Sequence, residues 1–147
     1  MKSREIALSI DSRVENVSLV GLAVHRICED VGFSSEDCYA LALCSVEAVS
    51  NSVRHAHGGE PGHTVTLRLT ILPQRVEIRV LDDGSPVPLE KRAPPRELEI
   101  DPEDPSSIPE GGRGLFLIHK LMDRVEYGRE GSSNVLLMTK ATTEPAG

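Results

Sequence analysis

A decapeptide in the first half of the chain combines a carboxylate, an amide and two basic side chains: Glu47-Ala48-Val49-Ser50-Asn51-Ser52-Val53-Arg54-His55-Ala56. Glu47, Asn51 and His55 are spaced four residues apart, so on a helix their side chains follow one stripe. Arg54 lies close to Asn51 on the same side of that helix. An ordinary solvated helix face has the same pattern, so the stripe alone leaves a functional role and a structural role open.

Two later stretches have compositions that suit contacts with a ligand. Asp82-Asp83-Gly84 ends a predicted strand, where an aspartate can accept the exocyclic amine of a base and a glycine lets a ring approach the backbone. Gly111-Gly112-Arg113-Gly114 opens a predicted helix, and free N–H groups at such a start favour an anion such as phosphate. Ordinary turn chemistry also accounts for the first stretch, and a hinge before a helix for the second.

The first third of the chain predicts a strand followed by two helices. Residues 6–10 alternate apolar and polar side chains, which is typical of a half-buried strand. Ser12 and Glu15 have the spacing of a capping box, and after them apolar residues recur every three or four positions. This recurrence predicts a first helix that ends at Gly32. A second helix is predicted from about residue 34 to about residue 56. Its apolar positions include Tyr39, Leu43, Val46, Val49 and Val53.

The remainder of the chain predicts a hairpin, a long loop, a third helix and two closing strands. Residues 65–71 and 76–80 alternate in polarity around Pro73-Gln74, which indicates a β-hairpin with one wet face. Residues 88–110 hold six of the ten prolines and form the predicted loop. The other predicted elements are a helix at 115–122, strands near 124–127 and 134–140, and a frayed tail at 141–147.

This order of elements predicts an α+β two-layer sandwich. In such a fold three helices cover one face of a mixed, mostly antiparallel sheet. The length of 147 residues corresponds to one domain, so we expect residues 1–147 to form a single domain.

Composition argues against several classes of protein. The chain has 16 Lys and Arg against 23 Asp and Glu, a net charge of −7, which is unsuited to direct nucleic-acid binding. No apolar run approaches the length of a membrane span, and residues 1–5 lead into no signal peptide, so a cytoplasmic location is expected. The three cysteines form no C-x-x-C pair, so we interpret them as small core residues and expect neither a zinc site nor a disulfide.

Taken together and in order, the three polar stretches resemble the motifs of the GHKL (Bergerat-fold) ATPases. The decapeptide at 47–56 is similar to their N box, residues 82–86 to the first glycine box, and residues 110–118 to the second. Within that superfamily the chain is most similar to the bacterial anti-sigma-factor serine kinases of the RsbW-like group, through residues 114–127 and its small size. The resemblance covers roughly residues 5–140. It implies a Bergerat fold, the histidine-kinase type of ATPase domain.

The resemblance also implies a role for each matching residue. Glu47 would orient or deprotonate a serine hydroxyl of a partner protein, and Asn51 would coordinate Mg²⁺. Asp82 would bind the adenine amine of ATP, and Gly84 would let the base sit close. Residues 88–110 would form a mobile ATP lid. The other residues implied to line the nucleotide site are Arg54, His55, Gly112, Arg113, Gly114 and Leu115.

Two positions depart from the family pattern. Pro86 stands where the fuller first glycine box has its second glycine, and Ser52 replaces the alanine that usually follows the asparagine. Contacts that the missing glycine makes elsewhere therefore do not transfer to this chain.

The function implied by the resemblance is an ATP-dependent serine/threonine kinase. It would phosphorylate a STAS-domain anti-sigma-factor antagonist and sequester a sigma factor or another regulated protein by partner switching. It would also form a homodimer, for which the strand at 6–10 offers an edge. An alternative is a nucleotide-binding switch of the same fold that transfers no phosphate, although Glu47 favours the kinase. A third hypothesis is an interaction protein that binds no nucleotide.

Overall fold

The computed structural model describes residues 3–56, 58, 60–86 and 113–142. Within them the chain forms the following strands and α-helices: β1 (Arg4–Asp11), α1 (Val17–Val31), α2 (Ser35–Asn51), β2 (Thr64–Leu72), β3 (Arg75–Asp82), α3 (Arg113–Leu121), β4 (Arg124–Glu130) and β5 (Ser133–Ala141). A 3-10 turn, Val14–Asn16, precedes α1, and a π-helical turn, Ser52–Ala56, continues α2. The predicted lid at 88–110 lies outside the described residues.

The strands form one sheet in the order β1-β2-β3-β5-β4. Every neighbouring pair in it is antiparallel, so the expectation of a mixed sheet is wrong for the described part of the chain. The cause lies between β1 and β2, where α1 and α2 pack along each other as a helical hairpin. This hairpin returns the chain to the end of the sheet where β1 finished, so β2 runs back beside β1. The predicted α+β sandwich is confirmed.

The core lies between the sheet and the helices, which cover one of its faces. Inward side chains of the central strands, such as Leu67, Ile78 and Met138, are at most 2% exposed. The three cysteines are buried on α1 and α2, which confirms their interpretation as core residues. Burial raises the pKa of the Cys28 and Cys44 thiols to about 12, so these thiols stay protonated at neutral pH.

The helix ends follow the predicted capping chemistry with one exception. Gly32 ends α1 with φ of 101°, in the left-handed region that favours glycine. Ser34 caps α2, because its hydroxyl accepts a hydrogen bond from the Asp37 N–H. The capping box predicted at Ser12 is wrong: the Ser12 hydroxyl is buried and donates to the Glu60 carbonyl, which ties the end of β1 to the segment before β2. None of the helices in the described ranges has the length and hydrophobicity that a membrane span requires.

Two further expectations are corrected by the structure. The apolar pattern predicts Tyr39 in the core, but its side chain is 64% exposed, because it lies on the outer side of α2. The predicted frayed tail at 141–147 is wrong for residues 141 and 142. Ala141 belongs to β5 and donates its N–H to the Asp123 carboxylate at 2.6 Å, and the Thr142 N–H donates to the Gln74 carbonyl. Residues 143–147 lie outside the described part.

Candidate functional site

The last turns of α2 form one wall of the candidate site. Ala48 and Val49, each 1% exposed, hold this end of the helix against the core. The α-helix continues through Asn51, so the predicted spacing of Glu47 and Asn51 is retained. Both side chains are half-buried and lie one helical turn apart, so a carboxylate and an amide face the same volume.

Beyond Asn51 the helix widens into the π turn. Val53 is fully buried and the turn contacts β3, which places the end of the helix beside the strand that carries Asp82. Such turns occur frequently at functional sites. Arg54 and His55, which the motif predicts in the nucleotide site, are both exposed on this turn. Their side chains face solvent and are not built into the buried part of the site.

The start of α3 lies directly against Glu47. Gly114 is buried in the first turn of α3, and a Cβ atom at that position would overlap Oε2 of Glu47 and lie 3.3 Å from its Cβ and Cδ atoms. Leu115 is 5% exposed, so its side chain belongs to the core and only its backbone is available to a nucleotide. Gly112 and the side chain of Arg113 lie outside the described residues. The first turn of α3, which carries Gly114, thus contacts α2 at Glu47.

The end of β3 forms a second part of the site. Asp82 is 7% exposed, and its Oδ1 accepts hydrogen bonds from the Gly84 N–H and from Nδ2 of Asn134, both at 3.0 Å. Asn134 stands directly opposite Asp82 on β5. Its Nδ2 also lies within donor distance of the carbonyls of Gly84 (3.2 Å) and Ser85 (2.8 Å). Asp82 and Gly84 therefore lie together at a strand end, as their motif predicts.

Arg129 on β4 orients Asn134. Its guanidinium donates to Oδ1 of Asn134 at 2.8 Å and to the Ser132 carbonyl at 3.0 Å. Because a guanidinium has only donors, the amide oxygen must face Arg129, and the amide NH₂ then faces Asp82. Sequence reasoning missed both Asn134 and Arg129. The signal that could have found Asn134 is the strand register, since the residue opposite Asp82 on β5 is an amide.

The oxygen atoms on α2 suit a magnesium ion that is held together with phosphates. Mg²⁺ keeps several waters and is usually bound through one or two protein groups plus substrate phosphates. The amide oxygen of Asn51 and the neighbouring carboxylate of Glu47 are donors of this kind. Across the described ranges, no group of three or more His, Cys, Asp or Glu could hold a metal ion. The two oxygen donors on α2 fit an ion that is held together with the phosphates of a nucleotide.

Comparison with known protein families gives a consistent result. A family model described as a histidine kinase-like ATPase domain matches residues 10–140. The serine-protein kinase RsbW of Listeria monocytogenes is 39% identical over 145 residues, with 95% of this chain and 88% of that protein covered. The serine-protein kinase RsbW of Halalkalibacterium halodurans is 35% identical over 140 residues, with 92% of this chain and 82% of that protein covered.

Solved structures show the same fold. The RsbU and RsbW domains of a Mycobacterium tuberculosis protein match with a TM-score of 0.62 at 15% identity. That match covers 97% of this chain, which spans 34% of the larger protein. The catalytic domain of the histidine kinase ThkA matches with a TM-score of 0.53 at 13% identity, and 97% of both chains is covered. At these identities the likeness concerns the fold alone.

Proposed function

Since the chain belongs to the RsbW-type serine-protein kinases of the histidine kinase-like ATPase family, we propose that it moves the terminal phosphate of ATP to a serine of a STAS-domain anti-sigma-factor antagonist. In this proposal the antagonist and a sigma factor compete for the kinase, and phosphorylation of the antagonist decides which of them is bound. The observation that carries the proposal is the placement of Glu47, a carboxylate that lies against Gly114 one turn before Asn51.

In this proposal each part of the site binds a different part of the nucleotide. Asp82 accepts the exocyclic amine of adenine, and Gly84 gives the ring access to the backbone. Asn51 holds Mg²⁺ together with the phosphates, and the ion supplies charge neutralisation when it is bound. The N–H groups at the start of α3 face the phosphates. Residues further assigned to this region are Arg54, His55, Gly112, Arg113, Gly114 and Leu115.

The chemical contribution of the chain itself is a proton transfer. The Glu47 carboxylate accepts the proton of the partner's serine hydroxyl as the serine oxygen forms its bond to the terminal phosphorus. The bond between that phosphorus and the ADP oxygen breaks, and ADP keeps the electron pair. The proton on Glu47 then passes to water, which restores the carboxylate.

The proposal extends to the rest of the chain. Residues 1–147 form a single domain, and residues 88–110 act as the lid over the bound nucleotide. These residues are acidic and rich in proline, and the chain returns from them directly into the glycine motif at 111–114.

A binding-only switch of the same fold is the second candidate function. Such a switch needs the adenine contacts of Asp82 but has no use for a carboxylate at Glu47, so the site favours the kinase. Incubation with ATP labelled in its terminal phosphate and a STAS-domain antagonist separates the two. Label on a serine of the antagonist supports the kinase, and bound but untransferred nucleotide supports the switch. If the chain binds no ATP with or without Mg²⁺, the remaining hypothesis is an interaction protein that binds no nucleotide.

We expect Asn134→Leu to weaken ATP binding at least about tenfold, because hydrogen bonds to charged groups are worth about 1.5–3 kcal/mol and Asp82 then loses the donor that orients it. Leucine has a similar volume and removes both donors. Calorimetric titration with ATP measures the effect, and circular dichroism checks the fold. Gln74→Leu, on the exposed turn before β3, serves as the control and should bind ATP normally. Wild-type affinity in Asn134→Leu would contradict the orienting role.

A homodimer is the proposed assembly, and β1 supports it because it lies at the edge of the sheet. Light scattering at tens of micromolar should give twice the mass of one chain. Ala7→Lys, on the exposed outer side of β1, should give a monomer, since a charge on an edge strand opposes strand pairing. The matched lysine in Gln74→Lys should leave the dimer intact. A monomeric wild type, or a dimeric Ala7→Lys variant, would count against pairing through β1.

A further inference from the structure

Gly114 has no conformational reason to be a glycine. It lies within α3 and is absent from the glycines of positive φ, which are Gly32, Gly58, Gly62 and Gly131 in the described residues. At a helical position alanine is the better helix former. The reason for a glycine at 114 therefore lies in what surrounds it.

The surroundings of Gly114 are the side chain of Glu47. A Cβ atom at 114 would overlap Oε2 of Glu47, and the two other nearest atoms, Cβ and Cδ, belong to the same side chain. The bare Cα of Gly114 thus forms the surface on which the Glu47 carboxylate rests. Gly21 provides a contrast, because a Cβ there would lie 2.5 Å from Cγ2 of Val46, a short branched side chain at the contact of α1 and α2.

The difference between these contacts predicts different effects of an added methyl group. At Gly21 the obstacle is a branched side chain at the interface of two packed helices, so the helices themselves must give way. At Gly114 the nearest obstacle, Oε2 of Glu47, is the far end of a flexible side chain that can move away at little cost, and the Cβ of Glu47 at 3.3 Å needs to give by only a few tenths of an ångström. An alanine at 114 should therefore leave the fold intact and displace one carboxylate.

We infer that Gly114 is a positioning residue for Glu47: the bare backbone at the start of α3 holds the carboxylate where a serine hydroxyl arrives. This inference rests on the proposed function, in which Glu47 takes the proton of that hydroxyl. It assigns Gly114 a task besides contact with phosphate. The two tasks differ in what they predict, since loss of a phosphate contact weakens ATP binding, whereas displacement of Glu47 slows transfer at saturating ATP.

A double-mutant cycle tests the inference. Gly114→Ala should bind ATP within about threefold of the wild type and transfer phosphate at least about 30-fold more slowly at saturating ATP. In a Glu47→Gln background the same alanine should lower transfer by less than about twofold, because the carboxylate that it displaces is already gone. Gly128→Ala is the matched control, since a Cβ at 128 meets nothing within 4 Å, and it should transfer at the wild-type rate.

A size exchange provides the second measurement. Aspartate at 47 is one methylene shorter, so Gly114→Ala should slow transfer much less in a Glu47→Asp background than in the wild type. If Gly114→Ala slows transfer as much in the Glu47→Gln and Glu47→Asp backgrounds as in the wild type, the inference is overturned. A loss of ATP affinity that parallels the loss of transfer would also overturn it. A Gly114→Ala chain that fails to fold would also overturn it, because the nearest atom is then not free to move.

One readout does not depend on the proposed function. The ¹³C resonance of the Glu47 side-chain carboxylate should shift in Gly114→Ala and stay unchanged in Gly128→Ala, whether or not the wild type transfers phosphate. An unchanged resonance in Gly114→Ala contradicts the positioning role. If the resonance shifts but the wild-type chain transfers no phosphate, the contact between Gly114 and Glu47 is supported and only the kinase proposal is contradicted.

Discussion

Glu47→Gln should leave ATP affinity within about threefold of the wild type and lower phosphotransfer at least about 100-fold. Glutamine keeps the shape of the side chain that rests on Gly114 but cannot accept a proton from a serine hydroxyl. Binding should change little because the proposed function assigns contact with the base to Asp82 and contact with the ion to Asn51. Calorimetry gives the affinity, and single-turnover transfer to the antagonist gives the rate.

The control for this result is Glu36→Gln, the same substitution in the first turn of the same helix. Glu36 is exposed and lies at the far end of α2, so its variant should transfer phosphate at the wild-type rate. Transfer near the wild-type rate in Glu47→Gln would show that Glu47 is not the base. A loss of ATP affinity as large as the loss of transfer would place Glu47 in binding instead.

Asn51→Ala should abolish measurable binding of Mg·ATP at concentrations that saturate the wild type. A methyl group cannot ligate the ion, so in the proposed function Mg²⁺ would lose the amide oxygen that is assigned to hold it. Calorimetric titration with ATP and Mg²⁺ measures the loss. The same variant titrated in a chelator should differ little from the wild type, since adenine recognition does not involve this side chain. Wild-type affinity for Mg·ATP in Asn51→Ala would contradict the assignment of the ion.

The elements of this fold are readable from the sequence because each carries its own local signal. The alternation of 65–71 and 76–80 predicts β2 and β3. The predicted end of the first helix at Gly32 and the predicted start of the second near residue 34 agree with the observed caps. Glu47 and Asn51 share a stripe because the helix remains regular as far as Asn51. Local periodicity and capping chemistry therefore suffice for the elements and for one wall of the site.

The parts that escaped prediction depend on contacts between distant segments. Asn134 orients Asp82 only because β5 pairs with β3 in one particular register, and Arg129 reaches Asn134 across the β4–β5 hairpin. Ser12 has the local pattern of a helix cap, yet its hydroxyl bonds to the Glu60 carbonyl 48 residues away. Tyr39 fits the apolar periodicity of α2, but that periodicity does not predict how much of the helix surface packs against the rest of the protein.

The meeting of Gly114 and Glu47 has the same origin. Each motif predicts its own residue types, a carboxylate on a helix and a glycine at a helix start. The contact between them depends on how α3 packs against α2. Because 66 residues separate Glu47 from Gly114, no local sequence pattern predicts this packing. The candidate site thus depends on tertiary packing, although each of its two motifs can be recognised separately in the sequence.

Mass spectrometry of a STAS-domain antagonist, after incubation with the wild-type chain, ATP and Mg²⁺, shows whether the chain transfers phosphate to that protein. We expect one added phosphate on a serine of the antagonist, formed slowly with Glu47→Gln and not at all with Asn51→Ala. An antagonist that stays unmodified while calorimetry shows the wild type bound to both ATP and the antagonist would contradict the account, and the chain would then be a nucleotide-binding switch.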